Sequence, residues 1–143
     1  MGRRHILLWI IFALIIGCLT GCGAADKGEN EKIRDLEFTV LGEENVPEEL
    51  KKIIEEKKEK EFKITYQDGD FLYICVGYGK QETGGYSITV NELYLTANAI
   101  YMDTNLIGPE PDKKELYHAK EDGVSYPYVV VKMEYMDKSV VFD

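Results

Sequence analysis

The sequence of 143 residues has room for one domain and a short targeting segment. It carries 26 acidic and 17 basic residues; Arg3 and Arg4 are the only charged residues before Asp26, so the remainder holds 15 basic against 26 acidic, a formal charge of −11. That excess repels phosphate backbones and anionic lipid, which argues against nucleic acid as a partner and against broad electrostatic docking on a membrane.

The chain opens with a short basic head, Met1 to His5, followed by an apolar run from Ile6 to Thr20. This is the layout of a secretory signal, and an apolar run of about 15 residues falls short of the roughly 20 that a spanning helix takes. The run ends in Leu19-Thr20-Gly21-Cys22, which resembles the lipobox of bacterial lipoproteins at all four positions. The resemblance implies a diacylglycerol on the Cys22 sulfur and cleavage just ahead of it, after residues 1–21. Two acyl chains, at about 0.8 kcal/mol per buried methylene, give stable anchoring where one would be marginal. The expectation is therefore a chain lipid-anchored to the extracytoplasmic face of the cell membrane. The alternative is an uncleaved N-terminal anchor in which Cys22 is incidental.

Residues 22–32 are small, polar and charged, which predicts a flexible tether ahead of a single domain over residues 33–143. With Cys18 lost in the leader and Cys22 acylated, Cys75 is the last thiol, so no internal disulfide can form. Cys75 lies in a β-prone apolar run, and a buried small hydrophobe is expected there rather than a reactive thiol.

The domain reads as a strand, a helix, then strands. Residues 35–40 alternate as a half-buried strand. Residues 46–56 form the clearest helix, with Pro47 at its first position, Glu48 and Glu49 in its first turn, and an apolar stripe of Val46, Leu50, Ile53 and Ile54. A strand over 62–66, a turn over 67–70 signalled by Asp68-Gly69, and a strand over 71–78 follow. The last is apolar on both faces, which places it centrally in a sheet. Further strands are expected over 86–90, 93–96, 99–102, 128–133 and, more weakly, 139–142. Residues 108–123 read as loop, with one helical turn over 113–118. The fold class is β-rich α+β: a mainly antiparallel sheet, as a sandwich or open barrel, with one packed N-terminal helix.

Catalytic equipment is sparse. His118 is the single histidine after the leader and has no serine or cysteine motif nearby. No pair of carboxylates is spaced to hold separated acid and base roles. Asp103-Thr104-Asn105 echoes a calcium loop, but Ile107 and Lys114 stand where ligands belong. Neither a metal site nor a cofactor is expected, and the chain is not expected to be an enzyme.

Two segments stand out. The first is a loop with Thr83-Gly84-Gly85 at its tip and Tyr86 opening the return strand, read as a hairpin loop, where paired glycines permit positive φ. The second is Tyr126-Pro127-Tyr128 at a strand entrance, either core packing or a rigid aromatic contact surface. Together with Gly77-Tyr78-Gly79 and the strand Val129-Val130-Val131-Lys132, these segments resemble the C-terminal domain of the protease complex subunit PrcB family over residues 72–132, although Glu82 stands where that family commonly has proline. The resemblance implies a non-catalytic binding role beside a cell-surface protease or another envelope protein, with Thr83, Gly84, Gly85, Tyr86, Tyr126, Pro127 and Tyr128 as candidate contacts. A looser analogy is to chagasin-type protease inhibitors, which would use the same loops.

Overall fold

The computed structural model describes residue 28, residues 30–113 and residues 123–143. The leader, Cys22 and His118 lie outside the described residues, as does the helical turn expected over 113–118 beyond its first residue.

Alternating β-branched and aromatic residues build eight strands among the described residues: β1 (Arg34–Asp35), β2 (Thr39–Val40), β3 (Glu61–Asp68), β4 (Phe71–Tyr78), β5 (Ser87–Leu95), β6 (Ala99–Ile107), β7 (Tyr128–Glu134) and β8 (Ser139–Phe142). One α-helix, α1 (Glu48–Lys57), precedes β3. Short 3-10 turns occupy Glu43–Asn45 and Pro111–Lys113. The strands form two four-stranded sheets, ordered β1-β5-β6-β8 and β2-β7-β4-β3. Every pairing is antiparallel except β6 with β8, which run parallel. The fold class is as expected, and the arrangement is a sandwich rather than a barrel.

Two apolar layers hold it together. Leu72, Ile74 and Val76 of β4 and Val129, Val131 and Met133 of β7 meet Leu93, Leu95, Ile100 and Met102 of the opposite sheet. The other face of β4 and β7 presents Tyr73, Cys75 and Val130 to Val46, Leu50 and Ile54 of the helical segment. This second layer explains why residues 71–78 lack alternation: the strand is covered on both sides. Cys75 sits fully buried in it, and burial pushes its thiol pKa up to about 12, so it packs as a hydrophobe.

Three local expectations change. Residues 35–40 are not one strand: β1 pairs with β5 and β2 with β7, so the chain crosses between the sheets at residues 36–38, with Leu36 buried in the core. The strands expected over 86–90 and 93–96 are one strand, β5, with a bulge between Val90 and Glu92. The glycine-rich loop is not a hairpin loop. Both edges of β4 are occupied, by β3 and β7, so the chain leaves that sheet after Tyr78 and enters the other at Ser87.

Pro47 caps the helix rather than opening it, with φ −55° and ψ 140°. No helix among the described residues is long and apolar enough to cross a membrane. The chain ahead of β1 is fastened to the sheet: the Ile33 amide donates to the Leu95 carbonyl of β5 at 2.7 Å, and Lys32 pairs with Asp35 of β1 at 2.6 Å. The segment expected to be a flexible tether through residue 32 therefore has its last residues held against the sheet.

Candidate partner-binding site

The two singled-out segments, some forty residues apart in sequence, lie side by side. Tyr78 ends β4 with its amide donating to the Pro127 carbonyl at 3.0 Å. Three residues on, Gln81 and Ser125 form an isolated antiparallel bridge, with amide-to-carbonyl bonds of 2.8 and 3.0 Å in the two directions. The Ser125 hydroxyl then donates to the Thr83 carbonyl at 2.7 Å, and the Gln81 side-chain amide donates to the Tyr78 carbonyl at 3.1 Å. The loop over residues 79–86 is thus sewn to the chain entering β7, which extends the β4–β7 pairing past its regular end.

Glycine is required at two points of this loop. Gly79 has φ +72°, and a Cβ there would approach the Glu61 amide nitrogen at 3.1 Å, where the turn after α1 passes close by. The Lys80 amide donates to the Glu59 carbonyl at 3.2 Å across this same approach. Gly85 has φ +83°, which lets the chain turn into Tyr86 and β5.

The candidate residues divide into two groups. Thr83 is only 7% exposed, so its side chain belongs to the loop's interior rather than to a contact surface. Tyr128 packs in the helix layer, and burial, with help from Glu43, holds its hydroxyl pKa above the ordinary tyrosine value. Pro127 supplies the carbonyl that Tyr78 binds. Gly84, Gly85, Tyr86 and Tyr126 are exposed or half-buried at the same end of the molecule. The Lys58 ammonium stands 5.0 Å from the Tyr126 ring centroid, which fixes the ring beside the helix C-terminus.

Two residues absent from the sequence-based list, Gln81 and Ser125, make the connection between the segments. Their signal was weak: a polar residue on each side of a glycine- or proline-containing stretch is ordinary until the pairing of the stretches is known.

One groove of about 1110 Å³ runs between residues 34–39 and the end of β7, lined in part by Phe38, Phe71, Lys132 and Tyr135. A smaller one, of about 460 Å³, opens between the sheets near Lys63, Tyr78 and Thr104. Neither includes the loop tip or Tyr126. Among the described residues no three His, Cys, Asp or Glu side chains are gathered to hold a metal, and Asp103, Thr104 and Asn105 lie within strand β6. The arrangement offers a preformed backbone surface with aromatic side chains beside it.

Comparison with curated proteins and with solved structures found no match. Comparison with protein-family models found one over residues 72–134, which runs from β4 through β7 and so takes in both joined segments. By that match, this part of the chain belongs to the family described as PrcB C-terminal.

Proposed function

We infer that the chain is a non-catalytic accessory subunit, lipid-anchored through Cys22 on the extracytoplasmic face of the cell membrane, that docks on an envelope protease. Its family associates it with protease-complex subunits. The observation that carries the docking reading is the bridge of Gln81 to Ser125, with the Ser125 hydroxyl on Thr83. It holds Gly84, Gly85, Tyr86 and Tyr126 in place before any partner arrives. Ordering a free loop on binding costs affinity, and a loop already tied down avoids that cost. Tyrosine beside open glycine backbone is also the composition that contact surfaces favour.

The test is cross-linking of the full chain in its native membrane, followed by mass spectrometry of the linked peptides. A protease linked through residues 84–86 or Tyr126, and lost in a Gly84→Val/Tyr126→Ala double variant, is the expected result. Gly84 is suited to this because its φ is not positive, so valine adds bulk without backbone strain. Links to a protease that survive the double change, or links to no protease, would overturn the proposal.

The side-by-side placement of the segments also favours a second reading, a protease inhibitor that inserts the same loops. Its signature would be slower turnover by a cysteine or serine protease on adding the chain, abolished by Tyr126→Ala.

A further inference from the structure

The helix layer covers the β2-β7-β4-β3 sheet, whereas the outward face of β1-β5-β6-β8 has no layer over it among the described residues. On that face Tyr94 and Tyr101 are cross-strand partners and stack, ring centroids 5.3 Å apart and planes within 5°. The row continues to Asp35 on β1 beside Tyr94, and to Val141 on β8 beside Tyr101. Val141 is 37% exposed. Next to this row runs an acidic one: Glu92 stands opposite Asp103, and Asp143 follows one step beyond the Met102–Phe142 pair. Like charges in adjacent cross-strand positions destabilise a sheet, and a cation laid over them relieves the repulsion.

The chain itself shows what such a surface takes. Lys32 holds its ammonium 5.4 Å from the Tyr94 centroid while pairing with Asp35 at 2.6 Å and Glu92 at 3.6 Å. Tyr101 accepts no second lysine or arginine among the described residues; its hydroxyl donates to the Asn30 side-chain oxygen at 3.2 Å. One ring of a two-ring platform is therefore filled from within, and the ring nearer Asp103 and Asp143 is not.

We propose that this face docks a lysine- or arginine-bearing segment of a partner protein, whose cation seats over Tyr101 beside Asp103 and Asp143 as Lys32 seats over Tyr94. Charge complementarity selects that occupant. A lipid headgroup amine brings a phosphate with it, which the three carboxylates repel. A second copy of the chain carries the same negative excess and would present acid to acid. The surface is distinct from the loop end, since Ser87 and Tyr94 are seven residues apart on β5, roughly 24 Å at a strand's rise. The proposal therefore stands or falls independently of protease docking.

The test is the binding of a fluorescent oligolysine peptide to the full chain in detergent, read by anisotropy, with oligoglutamate as control. Tyr94→Leu and Tyr101→Leu leave the net charge unchanged, so diffuse attraction is constant among them. Tyr101→Leu is expected to weaken binding by about twofold to fivefold, the range for an exposed cation–π contact, and Tyr94→Leu, whose ring Lys32 already occupies, to weaken it less. Lys32→Gln vacates the inner seat and should tighten binding more than Lys52→Gln, which makes the same charge change on the exposed side of α1. Oligolysine bound equally by wild type and both leucine variants would overturn the proposal. Should a leucine variant fail to fold by circular dichroism, equal tightening by Lys32→Gln and Lys52→Gln would overturn it just as well. So would a dimer, or binding to phosphatidylethanolamine vesicles, that Tyr101→Leu abolishes while peptide binding persists.

Discussion

At position 77 any side chain has to displace a neighbouring aromatic ring. Gly77 faces Phe62 across the β3–β4 pair, and a Cβ there would lie 2.1 Å from the Phe62 ring. Gly77→Ala should therefore cost about 1–3 kcal/mol through overpacking. The check is a urea titration: the midpoint falls with its slope unchanged, and Phe62→Ala in the same chain recovers part of the loss. Additive losses in the double variant would show that the ring is not the obstacle. A second single-residue effect lies in Cys75, whose thiol is raised from 9.0 to about 12 by burial. The folded state keeps a proton that the unfolded state sheds, so this contribution is whole below pH 9 and drains as the pH rises to 12. At 1.36 kcal/mol per pH unit the loss is at most about 4 kcal/mol. Cys75→Val, close in size and unable to ionise, should show a smaller fall in denaturant midpoint between pH 8.5 and pH 11, roughly the window of that shift. Equal falls in both chains would mean the thiol is not held neutral.

Among the elements, α1 was the most legible because its signals are local: a proline at the start, glutamates in the first turn and an apolar stripe at helical spacing. The structure buries Val46, Leu50 and Ile54 of that stripe, with Leu50 fully enclosed, and leaves Ile53 half-buried. Leu50→Ala should accordingly destabilise the fold by about 2–5 kcal/mol, whereas Lys52→Ala, on the exposed side, should stay within about 0.5 kcal/mol. Equal effects in thermal or chemical unfolding would mean that the helix is not docked on β4 and β7. The bulge in β5 was legible in a different way: Ile88 and Val90 point inward, then Leu93 and Leu95 do, and the change from even to odd numbers is the extra residue itself. Read as a break between two strands, it is the phase slip of one. Beyond the central place of residues 71–78, sheet membership was not legible. Residues 35–40 alternate as a single strand would, and the Thr83-Gly84-Gly85 stretch is what a hairpin would carry. Both instead carry the chain from one sheet to the other, because which edge is free depends on strands far off in sequence. The candidate site was partly readable for the same reason. Its residue types were visible, but the Gln81–Ser125 bridge that joins them, and the burial of Thr83, follow only from the β4–β7 register.

For the molecule as a whole, the charge and the proposed anchor make opposite demands, which a salt wash tests. A chain with a formal charge of −11 beyond its leader gains nothing from anionic lipid, so retention on a membrane through high salt points to acyl chains, an apolar span or a tightly docked protein. Fastening of Ile33 to Leu95 and of Lys32 to Asp35 shortens the free length of chain. With Cys22 acylated, the eight residue steps to Asn30 allow at most about 28 Å between the anchor and the sheet face. The expected outcome is that high salt leaves the chain in the membrane fraction, since screening weakens only an attraction that is absent here. Intact mass should then show a chain beginning at Cys22 and heavier than its polypeptide by a diacylglyceryl group. Globomycin, which blocks the lipoprotein signal peptidase, should cause a longer precursor to accumulate. Retention with an unmodified chain that still begins at Met1 would instead identify residues 6–20 as an uncleaved anchor. Mass spectrometry distinguishes the two, since both anchors resist salt while only one changes the mass at Cys22.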